Sequence, residues 1–160
     1  MGNKKFDDED LKSVISTKES KWYRFFTSAD IYDPDRLEVD RELLRQHYLA
    51  EGYADFRIDS AIAELVPDRT AFFITITVNE GNRYKFGTIE ASSAVRNIEE
   101  AELNPLIGIK KGDWYDNTLI EDAVKKISDE VGNLGYAFVQ VHPKVKKNPD
   151  QKEVILSFNV

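Results

Sequence analysis

The two histidines, His47 and His142, are the side chains most able to act as general bases or metal ligands, because the chain contains no cysteine. A histidine metal site needs further ligands at short, defined spacing, and neither histidine has one. The sequence also lacks the nucleophile turn of a hydrolase and the glycine-rich loop of a phosphate site. We therefore expect a protein that is not an enzyme and that uses no metal or cofactor.

Two short segments superficially match ligand-binding motifs. The acidic run Asp7-Asp8-Glu9-Asp10 could attract a cation, but no calcium-loop pattern follows it, and carboxylates favour the positive end of a helix. The segment Gly132-Asn133-Leu134-Gly135 has the Gly-x-x-Gly form of a KH-type nucleic-acid loop, yet it follows a helical pattern. We interpret the first segment as a helix start and the second as a helix cap.

Aromatic residues are the remaining candidates for recognition. A dense group lies between the first two predicted helices and comprises Trp22, Tyr23, Phe25 and Phe26, while Trp114 and Tyr115 lie in the second half. Such side chains could form a binding patch, but they bury large areas and are more often packed inside. We favour packing for both groups.

Composition narrows the class of protein. The chain has 160 residues, of which 41% are hydrophobic and 32% are charged, so it can form a packed core with a charged, hydrated surface. We expect it to be soluble. The formal net charge of −7, with lysine and arginine scattered among carboxylates, argues against a nucleic-acid partner.

The sequence contains a diverged internal repeat at a spacing of 83 residues, which falls to 82 in its last strand. The clearest matches are Tyr32-Asp33 with Tyr115-Asp116, Leu44 with Ile127, Gly52-Tyr53-Ala54 with Gly135-Tyr136-Ala137, and Phe72, Ile74, Ile76 and Val78 with Val154, Leu156, Phe158 and Val160. Each half therefore contains the same set of elements.

Periodicity predicts a short helix, a longer helix and two alternating strands in each half. Asp33 and Asp116 are predicted N-caps of the longer helices, and Gly52 and Gly135 are predicted C-terminal caps. The second long helix should carry one apolar stripe, formed by Ile120, Ala123, Val124, Ile127, Val131 and Leu134. The strands are predicted over residues 55–65 and 70–79, and again over 138–145 and 153–160.

A further strand is predicted at the start of the second half, from Tyr84, Phe86 and Ile89. The second half thus has the order β-α-α-β-β, while the first half lacks its initial strand. We expect the natural protein to continue upstream with that strand, and a strand edge to be left open without it.

These residues resemble the POTRA (polypeptide-transport-associated) family, whose β-α-α-β-β repeat packs two helices on a three-stranded sheet. The resemblance is carried by Gly2-Asn3-Lys4-Lys5-Phe6, Trp22-Tyr23-Arg24-Phe25-Phe26, Gly52-Tyr53-Ala54-Asp55-Phe56, Leu65-Val66-Pro67-Asp68, Glu80-Gly81, Gly112-Asp113-Trp114-Tyr115 and Gly135-Tyr136-Ala137-Phe138. It implies an α+β fold of two tandem modules, at residues 1–80 and 81–160, similar to the third and fourth repeats of BamA-type proteins.

The resemblance also implies a function. Such repeats form the periplasmic part of a Gram-negative outer-membrane protein that carries a β-barrel, and they bind unfolded barrel precursors and accessory lipoproteins. The third repeat is associated with the propeller-like lipoprotein BamB, which points to the first module here. POTRA repeats of a TamA-like or two-partner secretion transporter would look similar. A free-standing periplasmic adaptor that binds through its helix face is a further alternative.

The family resemblance places the binding site on the penultimate strand of the first module. An exposed edge strand binds an extended peptide through its backbone, with little dependence on side-chain sequence. The predicted site is Arg57, Ile58, Asp59, Ser60, Ala61, Ile62, Ala63, Glu64 and Leu65. Simple alternation predicts Asp59, Ala63 and Leu65 on one face and Ile58, Ile62 and Glu64 on the other.

Two interpretations of this strand differ in what its edge does. In the alternative interpretation, Ile58 and Ile62 both face the helices and the edge binds nothing. In the preferred interpretation, Ile62→Pro removes a donor from the edge and weakens pairing there.

Overall fold

The computed structural model describes residues 1–17, 33–67, 72–95, 98–136 and 139–160, and these form two compact units. Unit 1 comprises Met1–Tyr48 and Asp55–Gly81, and unit 2 comprises Leu49–Ala54 and Asn82–Val160. The predicted aromatic group Trp22, Tyr23, Phe25 and Phe26 lies outside the described residues.

Unit 1 has the predicted order of two helices followed by two strands. Its elements are α1 (Asp8–Val14), α2 (Pro34–Ala50), β1 (Arg57–Leu65) and β2 (Phe72–Asn79), and the two strands pair in antiparallel fashion. Helix α2 buries Leu37, Asp40, Leu44 and Tyr48. The Tyr48 ring stacks on Phe56 at a centroid distance of 4.1 Å, so the helix packs against the start of β1.

Two buried carboxylates hold the chain on either side of α1, which buries none of its own residues. Asp40 accepts hydrogen bonds from the Ser16 amide and hydroxyl, at 2.7 Å each, and from the Thr17 amide at 3.2 Å. Glu80 accepts from the Lys4 and Lys5 amides at 2.9 and 3.0 Å, and from the Tyr48 hydroxyl at 3.0 Å. Side-chain acceptors thus replace regular backbone pairing in these segments.

Unit 2 has the full β-α-α-β-β order. It consists of β3 (Lys85–Ser92), α3 (Glu100–Ile107), α4 (Asn117–Asn133), β4 (His142–Asn148) and β5 (Glu153–Asn159). The sheet order is β3-β5-β4, with β3 parallel and β4 antiparallel to the central β5. Alternate β5 residues Val154, Leu156 and Phe158 are fully buried beneath the helices.

The repeat is confirmed in the long helices. Both α2 and α4 have 17 residues and begin 83 residues apart. Asp33 accepts from the Asp35 amide and Asp116 from the Thr118 amide, while Gly52 and Gly135 both adopt φ of 96°, where L-residues are strained.

Two predictions of detail were wrong. Strand β4 runs over His142–Asn148, which is later than the predicted 138–145. Leu134 is 54% exposed, because it follows the end of α4 and leaves the helical register of the buried stripe. Within the described residues, the sheet of unit 1 has two strands, which agrees with the prediction that its initial strand is absent.

Met1 lies beside the end of β2 in unit 1, as the end of β3 lies beside the end of β5 in unit 2. The Val78 amide donates to the Met1 carbonyl at 2.8 Å, as the Val160 amide donates to the Ser92 carbonyl at 3.0 Å. The Met1 ammonium also donates to the Ile76 carbonyl at 2.6 Å. Gly2 then approaches so closely that an added Cβ would lie 2.1 Å from the Val78 oxygen.

The Asp40 carboxylate should make the stability of unit 1 depend on acid pH. Burial raises the pKa of Asp40, but the hydrogen bonds from Thr17 and Ser16 outweigh it, and the pKa lies below the ordinary value of 3.8. A lowered pKa in the folded state contributes stability above the unfolded-state pKa, and this contribution is lost as pH falls through the folded-state value.

We predict that Asp40→Asn lowers the free energy of unfolding at pH 7 by about 1.5–3 kcal/mol, the range for hydrogen bonds to a charged group. The difference in the free energy of unfolding between the variant and the parent protein should shrink as pH falls below about 4, because Asp40 of the parent is then protonated and loses its charge as well. Urea unfolding across this pH range measures both effects. The exposed Asp129→Asn serves as the control, and an equal loss in the two variants would contradict the prediction.

Candidate protein-binding edge

Strand β1 lies at the edge of its sheet, with β2 as its only strand neighbour among the described residues. A bulge interrupts their pairing: Ile58 lies opposite Val78 and Ser60 lies opposite Thr77, which leaves Asp59 as the extra residue. All nine predicted site residues belong to this strand.

The bulge inverts the predicted alternation of side chains. Ile58 lies on the same face as the buried Val78, which is the core face. Beyond the bulge, the residues on this core face are Ala61 and Ala63, which lie opposite Ile76 and Ile74. Ile62 lies on the other face and is 52% exposed. The predictions that Ile58 shares a face with Ile62, and that both face the helices, were therefore wrong.

The contacts of Met1 reveal which backbone groups of β1 point outward. Because Met1 bonds to Ile76 and Val78, the N–H and C=O groups of these residues point away from β1. In an antiparallel pair these directions alternate, so Thr75 and Thr77 point toward β1 and bond with their partners there.

It follows that Ser60, Ile62 and Glu64, which lie opposite Thr77, Thr75 and Phe73, use their backbone groups in the ladder with β2. The residues between them, Ala61, Ala63 and Leu65, direct their backbone N–H and C=O groups toward the open edge. The expectation that Ile62→Pro removes a donor from this edge is therefore wrong, since that donor belongs to the internal ladder.

The outer face of the hairpin carries exposed apolar side chains. Ile62 lies opposite Thr75, and Phe73, which is 62% exposed, lies opposite Glu64, so the two apolar side chains are diagonal neighbours on one face. Leu65 and Phe72 lie opposite each other at the hairpin end, on the other face, and are 47% and 39% exposed. An incoming strand at β1 would thus meet apolar side chains beside the open backbone groups.

Strand β4 of unit 2 is the equivalent edge, and its residues differ. The Val160 amide points to β3, so Phe158, Leu156 and Val154 point the same way, and their partners Pro143, Val145 and Lys147 point outward. Lys144 and Lys146 lie between them, and all five are exposed. Proline and lysine both discourage strand addition at an edge.

A groove of about 340 Å³ lies between α2 and the start of β1. Its lining residues are Glu38, Arg41, Glu42, Arg45, Phe56, Arg57 and Ile58, and none belongs to β2. The α2 side of this groove was not predicted from the sequence. The signal was present, because Glu38, Arg41, Glu42 and Arg45 recur at three- and four-residue steps and so share a helix face.

The other candidate residues have structural roles or lie on the surface. Within the described part of the chain, the His47 Nε2 atom is buried without a hydrogen-bond partner, and its ring packs edge-on against Phe6. His142 is exposed on β4. Asp7 caps α1 by accepting from the Asp10 amide, as expected for a helix start.

In unit 2, Tyr115 is buried, which agrees with packing, whereas Trp114 remains 47% exposed. The Arg83 guanidinium and the Lys85 ammonium lie over the Trp114 ring, at 4.2 and 4.8 Å from its centroid. Cation–π contacts therefore hold this side chain at the surface.

The described residues contain neither a membrane-spanning helix nor a cluster of metal-ligating side chains. No helix there has the length and apolar character needed to cross a membrane. In the same residues, no three histidine, cysteine, aspartate or glutamate side chains gather where a metal ion could be held.

Comparison with known proteins decides the family. The model of the POTRA family, described as a surface antigen variable number repeat, matches residues 1–81 and 84–160. The chain belongs to the POTRA family. The α+β fold of tandem POTRA modules, predicted from the internal repeat and the resemblance, is confirmed.

The curated relatives of these POTRA modules are much longer proteins. The outer membrane protein assembly factor BamA of Neisseria meningitidis is 28% identical over 153 residues, which cover 96% of this chain and 19% of that protein. BamA of Neorickettsia risticii is 28% identical over 160 residues, covering 99% of this chain and 21% of that protein. The chain thus spans about a fifth of the length of these relatives.

Solved POTRA structures show the same fold. The crystal structure of Haemophilus influenzae BamA POTRA3-5 matches with a TM-score of 0.81 at 23% identity, covering 99% of this chain and 61% of that chain. The structure of Haemophilus ducreyi BamA lacking POTRA domains 1-3 matches with a TM-score of 0.63 at 14% identity, covering 84% and 24%. Together with the family model and the BamA relatives, this likeness confirms the predicted resemblance to BamA POTRA domains.

The backbone directions in β1 can be tested by proline substitution. We predict that Ile62→Pro lowers the free energy of unfolding more than Ala63→Pro does, by about 1–3 kcal/mol, because only Ile62 donates within the ladder to β2. Urea unfolding of the two variants measures the difference. A greater loss in Ala63→Pro would show that the directions are reversed.

Proposed function

We propose that this chain is a periplasmic scaffold of outer-membrane β-barrel assembly, which binds unfolded barrel precursors and accessory lipoproteins by strand addition at β1. The observation that carries the proposal is that, among the described residues, no strand pairs with the outward backbone groups of Ala61, Ala63 and Leu65. The names of the relatives, outer membrane protein assembly factor BamA, supply the process. Binding of this kind requires no catalytic residue.

The outward residues of β1 and β4 differ, and this difference supports β1 as the binding edge. The outward residues of the two edges can be matched through their partners on the neighbouring strand. The partners in β2 are Ile76, Ile74 and Phe72, and each lies 82 residues before its counterpart in β5, which is Phe158, Leu156 or Val154. The matched outward residues are therefore Ala61 and Pro143, Ala63 and Val145, and Leu65 and Lys147. At two of the three positions, β1 has alanine or leucine where β4 has proline or lysine, and at the third β1 has alanine where β4 has valine. Strand addition is favoured at the first edge and opposed at the second.

The proposal has several further parts. The modules are residues 1–80 and 81–160, the accessory lipoprotein at the first module is BamB, and the whole protein carries an outer-membrane barrel beyond these repeats. The binding site comprises Arg57 to Leu65, with Asp59 as a bulge that ends the regular ladder. A TamA-like or two-partner secretion transporter would use the same edge, whereas an adaptor would bind through its helices.

An NMR titration of the 160-residue chain with a barrel-derived β-strand peptide tests the site. We expect amide shifts concentrated at residues 60–65, and we expect Ala63→Pro to weaken binding about ten-fold or more through loss of an edge donor and of the strand geometry around it. The control is Val145→Pro at the matched position of β4, which should leave binding unchanged. Shifts confined to α2 or unit 2 would contradict the proposal.

A further inference from the structure

Strand β4 is locally basic in a chain whose formal net charge is −7. The stretch of residues 131–149, which includes this strand, contains no aspartate or glutamate, although the whole chain has 29 of them. The same stretch contains Lys144, Lys146 and Lys147, and all three are exposed. The strand therefore presents positive charge against the sign of the chain as a whole.

Two of these lysines share the face of the sheet that lies opposite the helices. Lys144 pairs across the ladder with Ser157, and Lys146 pairs with Ile155. Leu156, which lies between Ser157 and Ile155 on β5, is buried in the core with residues of α3 and α4. Side chains alternate along a strand, so Lys144 and Lys146 point away from the helices, about 7 Å apart. We call these two residues the lysine pair of β4.

Neither ammonium group of the lysine pair forms an ion pair within the part of the chain that the structure describes. Their partners across the ladder, a serine and an isoleucine, are uncharged. The Glu153 carboxylate lies toward the other side of the sheet, because a Cβ added at Gly87 of β3 would lie 2.8 Å from its Oε2. The two positive charges are thus left without a neighbouring carboxylate.

Other basic side chains differ in this respect. The three arginines of the groove each contact one carboxylate. Lys125 and Lys126 of α4 have acidic residues at three- and four-residue steps, where side chains on a helix are neighbours. These acidic residues are Glu121, Asp122, Asp129 and Glu130. The helix lysines therefore offer an acidic partner less net attraction than the lysine pair does.

We propose that the lysine pair of β4 is a docking site for an acidic protein segment, whose carboxylates pair with the Lys144 and Lys146 ammonium groups. Pro143 and the lysines oppose backbone pairing at this edge, so the contact is made by side chains. An extended segment suits the site, because its alternate side chains also repeat about every 7 Å. The rest of the surface carries the net negative charge and repels such a segment.

An NMR titration of the 160-residue chain tests the site with a short peptide in which glutamate alternates with threonine. We expect amide shifts concentrated over β4 and the adjoining β5, and we expect the affinity to fall as salt is added. The same peptide with glutamine in place of glutamate should not bind. Equal affinities for the two peptides, or shifts spread over both units, would overturn the proposal.

Two double variants with the same change in net charge separate this site from general electrostatic attraction. Lys144→Gln combined with Lys146→Gln should weaken binding of the glutamate peptide about five-fold, because two exposed ion pairs are lost. Lys125→Gln combined with Lys126→Gln is the control and should weaken binding much less. Equal losses in the two double variants would show that net charge alone matters and that β4 is not the site.

Two other roles of the lysine pair predict different results. If the lysines only protect the edge from pairing, the β4 double variant should self-associate in sedimentation experiments and keep its affinity for the glutamate peptide. If they bind a lipid surface, the parent chain should sediment with phosphatidylglycerol vesicles but not with phosphatidylcholine vesicles, and should not distinguish the two peptides. Either result would overturn the proposal.

The site on β4 is independent of strand addition at β1. Ala63→Pro should leave the affinity for the glutamate peptide unchanged, and a loss of affinity in this variant would place the acidic segment on β1 instead of β4. Failure of the glutamate peptide to bind the parent chain overturns the docking site and leaves the proposed function of β1 as it stands.

Discussion

The bulge at Asp59 is the backbone feature on which the rest of the candidate site depends. One extra residue moves Ile58 and Ile62 to opposite faces of the sheet and places Ala61 and Ala63 on the face of the buried Val78. The same residue ends the regular outward ladder beside the groove of α2. A single local irregularity thus divides β1 into a segment with a regular outward ladder and a segment that lines the groove.

The two modules show how one fold supports different surfaces. The interior positions are covered to different degrees: Val154, Leu156 and Phe158 are fully buried in β5, whereas their register equivalents Ile74 and Ile76 in β2 are half-buried and Phe72 is 39% exposed. The edge strands contribute less to the core and carry different outward residues, alanine in β1 and proline in β4. Because strand edges promote association, a repeat protein gains selectivity by leaving one edge open and protecting the other.

The buried carboxylates explain how the short helix α1 stays in place without burying any residue. Glu80 binds the amides before it and Asp40 binds the amides after it. Both interactions need an ionised or hydrogen-bond-accepting side chain in a protected position. The packing of α1 therefore depends on polar contacts at its two ends, whereas α4 depends on an apolar stripe.

The sequence by itself determined the order of the elements and the matching long helices, because caps and apolar periodicity are local properties. The family was predicted from the resemblance of particular segments, and the family model confirmed it. Asp33 and Asp116 cap helices of equal length, and Gly52 and Gly135 end them, as predicted. The sequence also identified β1 as a strand, but strict alternation misplaced Ile62. No glycine or proline marks the bulge at Asp59, so the residue pattern contains no signal of the shift.

Only the tertiary structure decided which backbone groups of β1 point outward, because that direction depends on the register with β2 and on the bonds that Met1 makes to its far side. The groove likewise requires α2 to lie beside Arg57, a contact between residues distant in the chain. Local patterns specify helices and strands, whereas the open edge and its arginine groove arise from how those elements meet.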